Sequence, residues 1–464
     1  MKYLLMIIAS LFILSCGDEP DYVNDNDEAT SDVEVSDENI TEEPVEIEQY
    51  ENKEYFSTSF KVIDDGFDPY TDIIFGDTFG NLFYSKKHTE TSLKSGSPIK
   101  DLLKLDPDGI LVWQTPFDLY DISDMYVYDY EFSNVSSSIF ISGTYSNPET
   151  SEMFLAKISA DGVQSWIKFW GTGADGWGTP FSIAIDSNEN IYVGGRVIGA
   201  LEGTTAAEDN NNNTRNSDAF VTKWDKDGNL LWNKQSAKLH TDVVMGIAVD
   251  GNDDIYITGT ENVDHGDYAT NSSNFGTNMF FAKWNSDGNE IWRVANHNEN
   301  DQTHGIDVGI IGKDIVVLGH RCILPPVKPN DFCYLHPYLS KYNSDGNKIW
   351  EKQWRGKNNN DSVTTATRLN IHDEEIYTIL DAWEKSGQNS DIMITVFDNN
   401  GANLSSQILE SKCQDYPGHI SILPEGLVMI TGITDGWFGN DLATAECETE
   451  TFRPFAMILE PLNP

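Results

Sequence analysis

Four aspartates recur at one register of a repeated pattern. Asp121, Asp242, Asp301 and Asp361 each stand four residues before the centre of an apolar run. Asp175 sits near the same register in its own copy, with Asp68 and Asp415 close by. Carboxylates gathered from several copies round one opening would suit a hard divalent cation, Ca2+ first, or a basic ligand. The same side chains can instead accept backbone N–H groups in their own turns, and this structural role is the favoured one. Trp177, Trp383 and Trp437 fall in or beside the same segments, where an aromatic face could stack on a sugar or grip a protein. His240, His265, His297, His304 and His419 are dispersed among different copies without His-x-x-x-His spacing, and read as solvated loop residues. No nucleophile elbow, phosphate loop or dinucleotide fingerprint is present, and no carboxylate pair stands out for acid–base catalysis.

The cysteines divide into one and four. Cys322 and Cys333 lie eleven residues apart in one long connection, while Cys413 and Cys447 lie in two connections on the same side of the pattern. Pairs 322–333 and 413–447 would staple those connections, provided the chain is exported. A Cys/His metal site is the alternative, but no Cys-x-x-Cys spacing supports it. No cofactor is expected, apart from Ca2+ at the aspartate register.

The fifth cysteine, Cys16, follows a short basic start at Lys2 and an apolar run from Leu4 to Leu14 that is too short to span a bilayer. Ile13-Leu14-Ser15-Cys16 resembles a bacterial lipobox, which implies that residues 1–15 are a lipoprotein signal peptide and that Cys16 is diacylated. Such chains anchor without spanning, and the bacterial cell envelope, at the outer membrane or cell surface, is the expected location. Residues 16–53 follow as an acidic segment, with fifteen Asp or Glu against one Lys and no Trp or Phe. Self-repulsion without a core predicts a disordered tether. The whole chain has 464 residues and a formal charge of −45. From Glu54 onward there remain 60 acidic and 28 basic residues, so the folded part is acidic too. That field repels phosphate backbones and excludes nucleic acid as a partner.

What must position these residues is a repeat over 54–464. Asp218-Ala-Phe-Val-Thr-Lys-Trp-Asp-Lys-Asp-Gly-Asn-Leu-Leu-Trp232 is echoed by the segments ending at Trp292 and Trp350, and more weakly by those ending at Trp113 and Trp166. A sixth copy has Ser405 in place of the tryptophan. A second unit alternates with the first, as Ser182-Ile-Ala-Ile-Asp…Ile-Tyr-Val-Gly-Gly195 and Gly246-Ile-Ala-Val-Asp…Ile-Tyr-Ile-Thr-Gly259. Each unit is two β-rich runs joined by an Asp/Asn/Gly turn, hence a hairpin. Two hairpins make a four-stranded antiparallel sheet with strands A to D, and radial stacking of such sheets is a β-propeller. The fold class is therefore all-β, a propeller expected to have seven four-stranded blades, with six or eight as the alternatives. The last copy lacks a D strand, and Tyr55–Val62 can supply it against Phe455–Leu459, closing the ring and removing two exposed edges. The tryptophans of the repeat are assigned to the core.

These hairpins resemble the bacterial beta-propeller repeat (SBBP) family, most closely over residues 180–232 and 246–292. The resemblance implies an extracellular propeller and says little about activity. There is a looser likeness to quinoprotein-type propeller repeats, although Asp-Gly stands where those carry Thr-Gly.

The A–B and C–D turns are short and uniform, while the B–C and D–A connections on the opposite face are long and dissimilar, and binding belongs on divergent loops. The expected function is a monomeric surface lipoprotein that acts as a non-enzymatic binding module for a protein or glycan through this long-loop face. The alternative is a propeller enzyme with its site at the channel mouth, such as a quinoprotein-like oxidoreductase, a lyase or a glycan hydrolase.

Overall fold

Many hairpin turns of the repeat fold around their own first side chain. Asp225 Oδ1 accepts the N–H groups of Asp227 at 2.9 Å and Asn229 at 2.8 Å, and Asn229 Nδ2 donates to Oδ2 at 2.8 Å. Gly228 adopts φ of +77°, a left-handed conformation that glycine takes without steric cost. Asn285, Asn343 and Asp398 organise their turns in the same way, as do Asp186 and Asp250 between strands A and B. One oxygen of the first side chain of each of these turns is thus committed to backbone, in the turn role expected of it.

Hairpins pair into seven four-stranded antiparallel sheets. In the computed structural model, blade 1 holds β3 (Ile74–Gly76), β4 (Leu82–Lys87), β5 (Lys100–Leu105) and β6 (Leu111–Phe117). Blade 2 holds β7 (Asp124–Ser133), β8 (Ser138–Ser146), β9 (Ser151–Ile158) and β10 (Gln164–Trp170). Blade 3 holds β11 (Trp177–Ile185), β12 (Ile191–Ile198), β13 (Asp218–Trp224) and β14 (Leu230–Gln235). Blade 4 is β15 (Asp242–Val249), β16 (Ile255–Val263), β17 (Gly276–Trp284) and β18 (Glu290–Ala295). Blade 5 is β19 (Asp301–Ile311), β20 (Asp314–Ile323), β21 (Tyr334–Tyr342) and β22 (Lys348–Trp354). Blade 6 is β23 (Val363–His372), β24 (Glu375–Trp383), β25 (Ser390–Asp398) and β26 (Asn403–Leu409). Blade 7 takes β27 (Asp415–Ile422), β28 (Val428–Thr434) and β31 (Arg453–Pro461) from the C-terminal end and β2 (Phe56–Val62) from the N-terminal end.

The structure describes residues 47–48, 56–62, 74–77, 79–87, 100–107, 110–117, 124–146, 151–172, 176–205, 217–236, 241–263, 276–295, 301–323, 334–354, 363–383, 390–409, 413–423, 426–434, 436–437, 446–447 and 453–461. Among these there is no α-helix. The ring closes as the sequence predicts, with Phe60 opposite Leu459 and Val62 opposite Met457. Short β1 (Ile47–Glu48), inside the acidic segment, runs parallel to β22 with Ile47 opposite Gln353. A last short pair, β29 (Gly436–Trp437) and β30 (Glu446–Cys447), lies between β28 and β31.

The blades are held to each other by the repeat itself. Trp113, Trp166, Trp232, Trp292 and Trp350 each donate their indole N–H to a carbonyl in the C–D turn of the next blade, at 3.0 to 3.3 Å. The glycine of that turn lies flat against the ring. A Cβ on Gly346 would come within 3.0 Å of Trp292, and one on Gly401 within 3.0 Å of Trp350. These half-buried tryptophans therefore pack against the core and at the same time latch one blade to the next. The C-strand lysines join the same latch. Lys223 reaches Asp186 at 3.7 Å within its blade and the Ser286 carbonyl at 3.0 Å in the next, and Lys341 pairs with Asp314 at 3.0 Å.

Gly288 should be intolerant of a side chain for two separate reasons. Its φ is +74°, and a Cβ would meet Lys234 Cε at 2.9 Å and Trp232 at 3.0 Å. Gly288→Ala is expected to cost about 1–2 kcal/mol, whereas Gly251→Ala, with open space around it, should change little. Urea denaturation midpoints of the two variants check this.

Candidate functional site

The innermost strands share one irregularity. β7, β11, β15, β19, β23 and β27 each slip by one residue against their partners at the same place, between Val127 and Asp129, Pro180 and Ser182, Val244 and Gly246, Gly305 and Asp307, Ala366 and Arg368, and Pro417 and His419. A bulge bends its strand and re-aims the next side chain. The residue after each bulge is thus set at one level of the ring, and where it carries an oxygen it bonds the following blade. Asp129 Oδ2 accepts Ile183 N–H at 3.0 Å, Ser182 Oγ accepts Ile247 N–H at 3.1 Å, and Asp307 Oδ2 accepts Leu369 N–H at 3.0 Å.

At this level the charges meet. Arg368 of blade 6 lies 3.7 Å from Asp129 of blade 2, and these side chains keep 20% and 13% of their surface exposed. Burial, opposed by Arg368, raises the Asp129 pKa to about 6. Burial likewise raises Asp307, with Arg368 again opposing. Arg368 is held above its ordinary value by Asp129 and Asp307, against its own burial. Glu131, two residues along β7, is pushed up to about 8 by burial and by Asp129. His419, whose ring lies 4.9 Å from that of Tyr130, is lowered to about 3 by burial and by Arg368, and is neutral at physiological pH. The cluster is one cation set against two carboxylates, beside a protonated glutamic acid and a neutral histidine.

A testable pH effect follows from Glu131. Its native pKa near 8 lies above the ordinary 4.5, so between those values the native state holds a proton that the unfolded state has released. Its contribution is intact below pH 4.5 and is lost as pH rises towards 8. Glu131→Gln should therefore leave the thermal midpoint unchanged near pH 4 and raise it near pH 8, a gain of about 4 kcal/mol in stability there. Equal shifts at both pH values would contradict the assignment.

A second cluster stands where the long connections leave blades 2 and 3. Trp177 opens β11, and Arg196 lies opposite Thr179 in β12. The Arg196 guanidinium sits 4.8 Å from the Trp177 ring and 5.7 Å from that of Phe181, which meets Tyr128 edge to face at 5.7 Å. Burial lowers Arg196 to about 10, and its Nε has no hydrogen-bond partner.

The residues singled out in the sequence are placed as follows. Asp242 is 1% exposed at the start of β15, where it accepts a hydrogen bond from Ser236 Oγ at 3.1 Å and its N–H donates to the Ser217 carbonyl at 2.8 Å. The partner of its carboxylate here is a side-chain hydroxyl rather than a backbone N–H of its own turn. Asp301 begins β19 opposite Ile323, with its side chain outside the described residues, as are Asp121, Asp175 and Asp361 entirely. No group of three metal-ligating side chains occurs among the described residues. Trp177 is half-buried beside Arg196. Trp383 ends β24 and Trp437 lies in β29, both without described side chains. Cys413 is 1% exposed and disulfide-bonded. Cys322 lies in β20 and Cys447 in β30, with undescribed side chains, and Cys16 and Cys333 fall outside the described residues.

Two histidines depart from the solvated-loop expectation. His304 belongs to β19, is 8% exposed and bonds Thr260 Oγ1 at 3.2 Å, with its ring 4.8 Å from that of fully buried His320. His419 follows the β27 bulge beside Arg368. Strand pairing, rather than spacing from the nearest turn, draws both inward. The channel cluster itself escaped sequence reasoning. The available signal was Glu131, at a position where the other A strands carry Ala184, Ala248, Gly309, Asn370 and Ser421.

No family model matches the chain, and no curated sequence matches it. Among solved structures it is similar to a protein of unknown function from Bacteroides caccae, at 10% identity over 66% of this chain and 89% of that one, with a TM-score of 0.35. Prolyl oligopeptidase B from Galerina marginata is similar at 11% identity over 88% of this chain, with a TM-score of 0.44, and this chain spans 52% of its length. A lignostilbene dioxygenase from Pseudomonas brassicacearum is similar at 8% identity over 74% of this chain and 73% of its own, with a TM-score of 0.40.

Proposed function

We propose that the chain is a lipid-anchored bacterial envelope protein whose propeller binds a ligand, without turning it over, through the face of long B–C and D–A connections. The observation that carries this reading is how the two bulge aspartates, Asp129 and Asp307, are spent. Both oxygens of Asp307 accept backbone N–H groups, from Val308 at 2.9 Å and Leu369 at 3.0 Å, and Asp129 is divided between Ile183 and Arg368. A general acid or base needs a free oxygen within reach of substrate, and these carboxylates are committed to joining blades. One oxygen each of Asp225 and Asp186, in turns on the opposite face, is committed likewise. Divergent connections on a rigid ring are left as the place for recognition.

In this reading Cys16 carries the acyl chains, residues 17–53 hold the disc away from the membrane, and disulfides 413–447 and 322–333 staple the binding face. Saturable retention of an envelope glycan or protein by the full chain, weakened by Trp177→Ala and unchanged by Lys226→Ala in an opposite-face turn, tests the reading. Turnover of a substrate that disappears in His419→Asn, or a stoichiometric metal or bound chromophore in the purified protein, would replace it with the enzyme.

A further inference from the structure

Resting on the binding role of the long-loop face, we infer that Trp177 and Arg196, with Tyr128 and the buried Phe181 behind them, form a subsite for a singly charged acidic sugar, a uronate-type ring whose carboxylate docks on Arg196. Arg196 differs from the other arginines whose side chains are described. Arg293, which also stacks on an aromatic ring, at 4.7 Å from Phe280, is neutralised by Glu261 at 3.2 Å and Glu290 at 3.0 Å. Arg321 has Glu351 at 3.5 Å, and Arg368 has Asp129 at 3.7 Å. Among the described residues no carboxylate lies within ion-pairing distance of Arg196, in a chain with 75 acidic residues against 30 basic ones. An unpaired guanidinium held against aromatic rings is costly to keep, and an external carboxylate is the acceptor its fork geometry fits.

The rest of the subsite narrows the class. Trp177 begins its strand at the long-loop end and is half-buried, so part of its surface remains open beside the guanidinium. Aromatic faces hold the apolar side of a pyranose, while the cation takes the substituent. The formal charge of −45 disfavours dianionic phosphate and repeated anions, and one carboxylate on a neutral ring keeps the attraction with the least repulsion.

The test is calorimetric titration of the full chain with sodium glucuronate, glucose and inorganic phosphate at one ionic strength. Glucuronate should bind at least about tenfold more tightly than either of the others. Arg196→Gln should lose at least about tenfold in glucuronate affinity without a fall in thermal midpoint, Arg196→Lys should lose part of it, and Arg293→Gln none. Equal affinity for glucuronate and glucose, stronger phosphate binding, or an Arg196→Gln protein that still binds glucuronate as wild type overturns the inference. So does a lowered midpoint in both Arg196 variants with glucuronate affinity intact, which would make Arg196 a packing residue. Retention of a neutral glycan that Trp177→Ala abolishes and Arg196→Gln leaves alone would sink the acidic-sugar subsite while sustaining the broader binding role. Loss of all ligand retention would sink both.

Discussion

Replacing Arg368 with methionine should destabilise the protein by about 2–4 kcal/mol at neutral pH, the largest loss expected from a single change in the channel. Methionine fills much of the same volume, so the loss measures charge rather than packing. Without the guanidinium, Asp129 and Asp307 stay at the same level of the ring with no counter-charge. Both already have raised pKa values, Asp129 to about 6. Removal of the cation raises them further, so the native state binds more protons than the unfolded state over a wider range. Stability relative to wild type therefore falls as pH rises, and the deficit should be small near pH 5 and large near pH 8. Denaturation midpoints at the two pH values decide the matter, and a deficit of the same size at both would remove the ion pair from the explanation. Asp129→Asn combined with Arg368→Met should recover part of the loss, because the stranded charge goes with its partner.

The second large effect lies at the blade interface. Trp292→Ala should cost about 2–4 kcal/mol. The indole lies edge-on to Phe281 with ring centroids 5.0 Å apart, has Tyr256 at 6.1 Å, and covers Gly346 of the next blade. It also donates to the Ser344 carbonyl at 3.1 Å. Truncation leaves a void between blades 4 and 5 that neither sheet can fill, because each is pinned by its own ladder. Ile291, the preceding residue on the same strand, is 53% exposed. Ile291→Ser should therefore stay within about 0.5 kcal/mol, since it removes surface that is already in water. Calorimetric unfolding of the two variants makes the comparison, and a similar loss in both would mean that the outer strand, rather than the latch, carries the stability.

The blade pattern was legible because its determinants are local. Asp225-Lys-Asp-Gly228 is a turn through its own side chain and one positive φ, and the runs on either side have few ways to bury their apolar faces except against neighbouring sheets. Ring closure was legible for a related reason, because a C-terminal blade short of one strand and an N-terminal strand without a sheet complete each other. The role of the repeat tryptophans was not. Their spacing shows that they recur, but the carbonyl each one meets lies in the next blade, which only the stacking angle of the sheets brings within reach.

The channel was further from view. Asp129, Asp307, Arg368 and His419 come from four blades, and nothing local in the sequence relates them to one another. A one-residue bulge at the same level of each strand brings them together. A bulge has no strong sequence signature, and a one-residue slip decides which way every later side chain points. Arg196 follows the same rule, as a position in β12 whose aromatic neighbours Phe181 and Tyr128 are themselves the residues skipped at two adjacent bulges. Turn chemistry, hydrophobic period and the count of half-hairpins thus determined by themselves that this chain builds a closed ring of four-stranded blades, since each acts within a few residues or through a simple excess of unpaired strands; the structure settled the number at seven. Which charges face one another inside that ring, and which arginine among the described residues is left without a counter-ion, only the tertiary structure decided. Those pairings depend on strand register and blade rotation, through which electrostatic partners distant in sequence are brought within a few ångströms.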